Sequence, residues 1–249
     1  YAGSRVILID PHGEYASAFP DARIFRIGDT QAPLFIPFWL MSFEELAFFL
    51  VGADQRDEQR VEYRLLRDMV TAMKRENLNL KAGIVNINLI TADSPIPFSA
   101  RKLWHKMNWL LNASFSATSK DDQNAATACE TSAGDAETLS PAIFEAYAMG
   151  NTAPFKSKHT DFFGYEKKIL SRLKDSRYDF LFNPGEYKTA DSPKDLHNLL
   201  AEWIGGPERL AILDLSGVPF EVLDITVGLI TRFVYDSMFW GRKESYTGK

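Results

Sequence analysis

One cysteine, Cys129, in 249 residues excludes an intrachain disulfide and any cysteine-based zinc cluster, and it suits a reducing cytoplasm. Long hydrophobic runs are also missing. No stretch approaches the roughly 18 uninterrupted apolar residues that a membrane helix needs, so no membrane partner is predicted. The amino terminus carries no basic-then-apolar signal segment. An excess of positive charge is missing as well: 28 Lys and Arg stand against 33 Asp and Glu, a net charge of −5. The surface as a whole is therefore no nucleic-acid footprint, and any DNA contact has to come from local basic loops repeated by symmetry. The four histidines, His12, His105, His159 and His197, are scattered without H-E-x-x-H spacing, which argues against a zinc hydrolase. No G-x-S-x-G elbow is present; Ser216-Gly217 follows a strand without that pattern. No G-x-G-x-x-G supports a dinucleotide fold. The phosphate loop G-x-x-x-x-G-K-[ST] occurs nowhere, and its nearest approach, Thr247-Gly248-Lys249, has neither the upstream glycine nor a strand-loop-helix setting.

What is present begins with Arg5 to Tyr15, RVILIDPHGEY. Val6, Ile7, Leu8 and Ile9 form a short apolar run that fits the buried centre of a parallel sheet. The Asp10-Pro11-His12-Gly13-Glu14 turn then places two carboxylates and an imidazole at the strand's carboxyl end, where ligands bind in open α/β sheets. The same residues also read as a plain turn, with Asp10 as its cap and Glu14 in solvent. Leu210 to Ser216, LAILDLS, is a second buried strand with Asp214 near its end. Gly217-Val218-Pro219 follows, and Phe220 to Trp240 reads as a long helix, apolar on most sides, that lies buried or in a subunit interface. Strand, turn and long helix are half of a βαβ unit, so the fold class is α/β. At 249 residues, with 45% hydrophobic and 24% charged, the chain is long enough for one large α/β domain or a domain carrying an insertion. Its core parts fall at 1–41 and 205–249, with a helical insertion over 42–204.

Between the two strands the signals are mostly helical. Ala22 to Ile27 reads as a short strand, and Ala32 to Trp39, broken by two prolines, as an extended connection. Ser42 and Glu45 form a capping box for a helix over Phe43 to Val51. A longer helix is predicted from Asp54, with Val61, Leu65, Met69 and Met73 as a core stripe. Ser99 caps a helix from Ala100 to Leu111. From Asn112 to Pro154, Ser, Ala, Thr, Asn and Asp dominate. That stretch reads as a flexible excursion or lid, with a short helix over Pro141 to Met149. Lys156-Ser157-Lys158-His159 near its end is a basic cluster, read as solvated surface or as a phosphate contact. Asp161 to Lys174 is helical, with Arg172, Lys174 and Arg177 at its end, where cations complement the helix dipole. Tyr178 to Phe182 is aromatic and stops at Asn183-Pro184-Gly185. A further amphipathic helix starts at Ser192-Pro193 and runs through Trp203.

Four stretches taken together resemble one family. LIDPHGEY (Leu8 to Tyr15), SPIPFS (Ser94 to Ser99), SRLKDSRYDFLFNP (Ser171 to Pro184) and LDLSGVPFEVLD (Leu213 to Asp224) are similar, in this order, to the HerA-type ATPases of the HerA–FtsK superfamily. The resemblance implies a RecA-like P-loop core that forms hexameric rings, hydrolyses ATP with Mg²⁺ between subunits and moves double-stranded DNA through a central pore. It also implies a nuclease or a phage-defence effector as partner. In that family a phosphate loop precedes the DPHGEY strand and a Walker B strand follows the long helix, so the chain is expected to be an internal fragment of a longer protein. Carried over, Asp10 would lie near phosphates and Mg²⁺ as the metal contact, with His12 and Glu14 on the same turn; the catalytic acids Asp10 and Glu14 would hold a metal water or orient the attacking water, and His12 would contact the nucleotide. Asp214 and Ser216 would sense the γ-phosphate, and Arg172 or Arg177 would act in trans on a neighbour's nucleotide. The alternative is a non-catalytic assembly module built on a degenerate or truncated ATPase core.

Overall fold

A computed structural model describes residues 4–52, 58–79, 86–117, 127–147, 150, 152–158, 163–187 and 196–246. The apolar runs found in the sequence form its central sheet. β1 (Val6–Asp10), β2 (Arg23–Arg26) and β8 (Leu210–Asp214) lie in the order β1-β8-β2, and both pairings are parallel. The central strand is the most buried: Ile212 and Leu213 are fully enclosed, as expected for a strand covered on both faces. β2 continues outward into an extended segment, where Arg26 accepts from Leu34 and donates to Ala32 through its backbone. This is the proline-broken connection read in the sequence.

The helical layer starts with α1 (Phe43–Val51), whose capping box forms as predicted: Ser42 accepts from the Glu45 amide and Glu45 accepts from the Ser42 amide. Glu45 also binds Arg232 with both oxygens, at 2.6 and 2.8 Å. Arg232 lies on the long helix α7 (Phe220–Tyr246), so the cap of one helix clamps the middle of another. α2 (Val61–Asn79) buries Leu66, Met69, Val70 and Met73. Val61, predicted to join that stripe, is exposed instead because it opens the helix at the surface. The predicted start at Asp54 lies outside the described residues. α3 (Ala100–Asn112) is capped by Ser99, which accepts from the Lys102 amide. α4 (Phe163–Lys174) packs against both α1 and α3. The short α5 (Asp179–Phe182) brings Phe182 within 5.4 Å of Phe38 and 5.3 Å of Phe49. α6 (Leu196–Ile204) buries Leu199 and Trp203; its expected start at Ser192-Pro193 lies outside the described residues.

Two expectations are corrected. The stretch after α3 is built from small antiparallel sheets: β3 (Ser114–Ser116) pairs with β4 (Thr127–Ala128) and β7 (Phe155–Lys156), and β5 (Glu130–Ser132) pairs with β6 (Ile143–Phe144). The helix predicted over Pro141 to Met149 is thus a strand at Ile143–Phe144. Phe144 packs there against the indole of Trp109, their ring centroids 5.5 Å apart, while Ile143 is exposed. The second correction concerns α7. It buries one side through Val222, Thr226, Leu229 and Ile230, while Phe220, Tyr235, Met238 and Phe239 are exposed. Its apolar composition does not bury it all round, because the helical layer lies along one side only. Among the described residues no helix is long and apolar enough to cross a membrane.

Lys74, on α2, is fully buried and donates to the carbonyls of Ala92 and Ser94 at 2.5 and 2.7 Å. Burial pushes its pKa down to about 8, against the opposing pull of Asp93. A lysine whose folded pKa lies below its unfolded value leaves the unfolded state holding more protons between those values. Stability then rises with pH across that window. Compared with Lys74→Met, the native protein should gain about 3 kcal/mol as pH rises from about 8 to 10.5. Urea denaturation of both proteins across that range measures it, and a constant difference would refute it.

Candidate functional site

The register of the parallel sheet puts three charged residues on its last rung. Asp10 pairs with Asp214, and Asp214 pairs with Arg26. β1 and β8 are apolar until this rung, so their charges collect at the carboxyl edge, where the chain leaves the sheet. Asp10 is fully buried. Its Oδ1 accepts from the amides of His12, Gly13 and Glu14 at 3.3, 2.9 and 3.3 Å, and its Oδ2 accepts from Tyr15 at 3.0 Å. One carboxylate therefore folds the whole DPHGEY turn around itself. The turn leaves His12 and Glu14 exposed.

The second motif meets the first through Gly13, which has φ +72°. A Cβ there would lie 3.0 Å from Ser216 Oγ and 3.2 Å from Asp214 Oδ1. Glycine is needed twice over, for the left-handed backbone and for the close approach. Asp214 Oδ1 accepts from the Ser216 amide at 3.0 Å and from its hydroxyl at 2.6 Å, and Oδ2 accepts from Arg26 Nε at 2.8 Å. Burial raises the Asp214 carboxyl, but the bonds from Ser216 and Arg26 outweigh it and hold the pKa below the ordinary value. The structure thus brings Asp10, His12, Glu14, Asp214 and Ser216 to one edge. Arg26, half-exposed beside them, had no part in the sequence reading. Its signal was a basic residue ending a short strand, which reveals a partner only once β2 is known to lie beside β8.

The family model described as the central domain of the helicase HerA matches residues 2–234. The chain belongs to this family. A search of curated proteins finds no match. The HerA family is one of ATPases, and two of the four stretches that carry the resemblance, LIDPHGEY and LDLSGVPFEVLD, meet at the edge just described.

The two arginines of this HerA-family chain lie together at the start of α7. Arg177 forms paired bonds to Asp175 and lies 3.7 Å from Glu221. Its hydrogen bond to Asp175 raises its pKa and lowers that of Asp175. Arg172 donates to the Tyr178 hydroxyl, which in turn donates to Glu221 at 3.3 Å, and its guanidinium lies 5.0 Å from the Tyr178 ring. Both arginines therefore have partners within the chain, next to the helix that leaves Ser216. Among the described residues they share no contact with the DPHGEY turn. His105 accepts from or donates to the Ala133 carbonyl at 3.0 Å, and His159 lies outside the described residues.

The Mg²⁺ that the resemblance implies does not fit at Asp10 as a direct ligand. All the bonding it shows goes to four backbone N–H groups, and the Asp214 oxygens are taken by Arg26 and Ser216. Among the described residues no group of three or more His, Cys, Asp or Glu side chains gathers as a metal site. Asp10 fixes the path of the turn that carries His12 and Glu14.

Two substitutions test how tightly the motifs are packed. Gly13→Ala should lower stability by about 1–3 kcal/mol, from strain at positive φ and the push against Ser216. Gly164→Ala, in α4 with open space around its Cα, should be neutral or slightly stabilising. Urea denaturation of both variants decides it; equal effects would mean that the turn does not press on Ser216.

Proposed function

We propose that this chain is part of an ATP-driven double-stranded DNA translocase that works as a hexameric ring with a nuclease or a defence effector in the cytoplasm. What carries the reading is the packing of the DPHGEY turn onto the LDLSG turn at the carboxyl edge of a parallel sheet. This is where a nucleotide binds in such folds, and the family is one of ATPases. In this proposal the missing phosphate loop and Walker B acid come from flanking segments of a longer protein.

Within that reading, Glu14 is the exposed carboxylate that orients and deprotonates the attacking water. His12, beside it on the same turn, contacts the nucleotide. Asp10 holds both by fixing the turn. Ser216 gives both its hydroxyl proton and its amide proton to Asp214, so toward a γ-phosphate it acts through Asp214's hold on Arg26. Arg26 supplies the positive charge of the edge. Arg177, with 60% of its side chain exposed, and Arg172 are the candidates to reach a neighbour's nucleotide in trans, after leaving their partners at the start of α7. A second reading has its own support. The sequence holds no phosphate loop, and the oxygens of Asp10 and Asp214 are engaged within the chain, as in an assembly module built on an ATPase core.

Glu14→Gln in the full-length protein separates the two. It should lower DNA-stimulated ATP hydrolysis by about 100-fold or more while the thermal midpoint stays within the error of the native protein. Unchanged hydrolysis in that variant would remove Glu14 from the chemistry, and no hydrolysis in the native protein would favour the module. Native mass spectrometry of the same protein should show a hexamer; a strictly monomeric species would overturn a site shared between subunits.

A further inference from the structure

A cavity of about 520 Å³ opens between α3, α4 and the small sheets, away from the carboxyl edge. Its volume lies in the range of small-ligand sites. Asn108, Leu111 and Asn112 line it from α3, at spacings that put them on one face of the helix. Glu166 lines it from the first turn of α4. Glu166 is 6% exposed and Asn108 8%. Glu166 Oε1 accepts from Trp104 Nε1 at 2.5 Å and from Asn108 Nδ2 at 3.1 Å. Asn112 Nδ2 donates to the Asn108 backbone carbonyl at 2.9 Å. Both amides thus turn their nitrogens onto protein acceptors, since a reversed amide would set oxygen against oxygen. The oxygens remain. Asn108 Oδ1 is buried without a hydrogen-bond partner, and neither Glu166 Oε2 nor Asn112 Oδ1 takes a hydrogen bond among the described residues. A buried acceptor without a donor is costly, so this wall is built to receive N–H groups.

The wall is also negative. Two N–H donors and a place in the first turn of a helix suit an ionised carboxylate, yet Glu166 forms no ion pair among the described residues. The lysines that line the cavity do not supply one. The Lys156 ammonium lies 5.5 Å from the centroid of the Tyr147 ring, and Lys156 and Lys167 each have partners of their own. A buried carboxylate without a countercharge is costly, which favours a cation as the occupant. The open oxygens then select a cation that carries N–H groups. A primary ammonium has three such donors and no acceptor. Its compact head turns to suit acceptors from separate side chains, which a rigid planar guanidinium does less well. Leu111 offers apolar surface beside the oxygens for a carbon stem.

We propose that this cavity binds a primary alkylammonium group, with its head on Glu166, Asn108 and Asn112 and its carbon stem along Leu111. The group belongs either to a free amine or to a lysine side chain of a partner protein, since both present the same chemistry. The proposal does not depend on the carboxyl edge being an ATPase site.

Titration calorimetry of the whole chain with n-butylamine, butyltrimethylammonium and Nα-acetyl-lysine methylamide tests it. n-Butylamine should bind saturably, and at least about tenfold tighter than butyltrimethylammonium, which carries the same charge without N–H groups. Binding of the lysine derivative assigns a side chain of a partner, and binding of n-butylamine alone assigns a free amine. Glu166→Gln should weaken n-butylamine binding about tenfold or more. Asn112→Asp, at an exposed position, should tighten it about threefold or more, a gain that damage to the fold does not produce. Near-UV circular dichroism shows whether both variants keep their fold; Asn112→Asp decides the matter if Glu166→Gln does not. No saturable binding of either amine, equal affinity for n-butylamine and butyltrimethylammonium, or a folded Asn112→Asp variant that binds no tighter would overturn the proposal.

Discussion

The carboxyl edge of this chain depends on one buried anion. Asp10 is a carboxylate at a position without solvent access and forms no ion pair among the described residues; four backbone N–H groups supply the compensation. Bonds from amides to a carboxylate are stronger than those to a neutral acceptor. Losing the carboxylate would leave those N–H groups without their acceptor in a crowded turn. The placement of His12 and Glu14 follows from this, and so does the seat on which Ser216 and Asp214 pack. Asp214 repeats the arrangement one strand over, with the amide and hydroxyl of Ser216 and the Arg26 guanidinium in place of four backbone amides. The two strands thus end in carboxylates that organise their surroundings, and the groups left facing outward are Glu14, His12 and Arg26.

Parts of this were legible from residue order. VILID and LAILD announced buried parallel strands, because only such strands carry β-branched and aliphatic residues without alternation. Ser42 with Glu45, and Ser99, marked helix starts because their side chains satisfy amides in the first turn. The residues of the DPHGEY and LDLSG turns were singled out in the sequence, and the pairing of β1 with β8 sets them at one edge. That Asp10 caps the turn was legible as one of two readings; which groups it collects was not, because its partners are amides, which every residue carries, and only the path of the turn aims them at one carboxylate. Arg26 escaped notice for a related reason: its partner lies 188 positions away, across a strand pairing that no local pattern reveals.

The small sheets between α3 and α4 were misread for a third reason. Their strands span two or three residues each, too short for a period of two to emerge from a Ser- and Thr-rich background. What holds them is a few anchors. Trp109 touches Phe115 and Phe144 at 6.0 and 5.5 Å, and buried Ser114 donates to the Glu145 carbonyl. Composition alone suggested a loose excursion; a single indole projecting from α3 gives these strands a surface to pack on.

Arg232 on α7 has a mechanical consequence. Its guanidinium is gripped by both oxygens of Glu45 and by the Leu40 carbonyl, near the middle of a helix of 27 residues, roughly 40 Å long. The first turn of that helix leaves Ser216 and bears Glu221, which Arg177 and Tyr178 hold. A rod fixed near its midpoint behaves as a seesaw. Any shift of the LDLSG turn that tilts the first turn of α7 by about 5° would move Tyr235, Met238 and Phe239, just beyond the pivot, by up to roughly 1 Å in the other direction. Events at the carboxyl edge would in this way be written onto an exposed aromatic surface on the far side of the pivot.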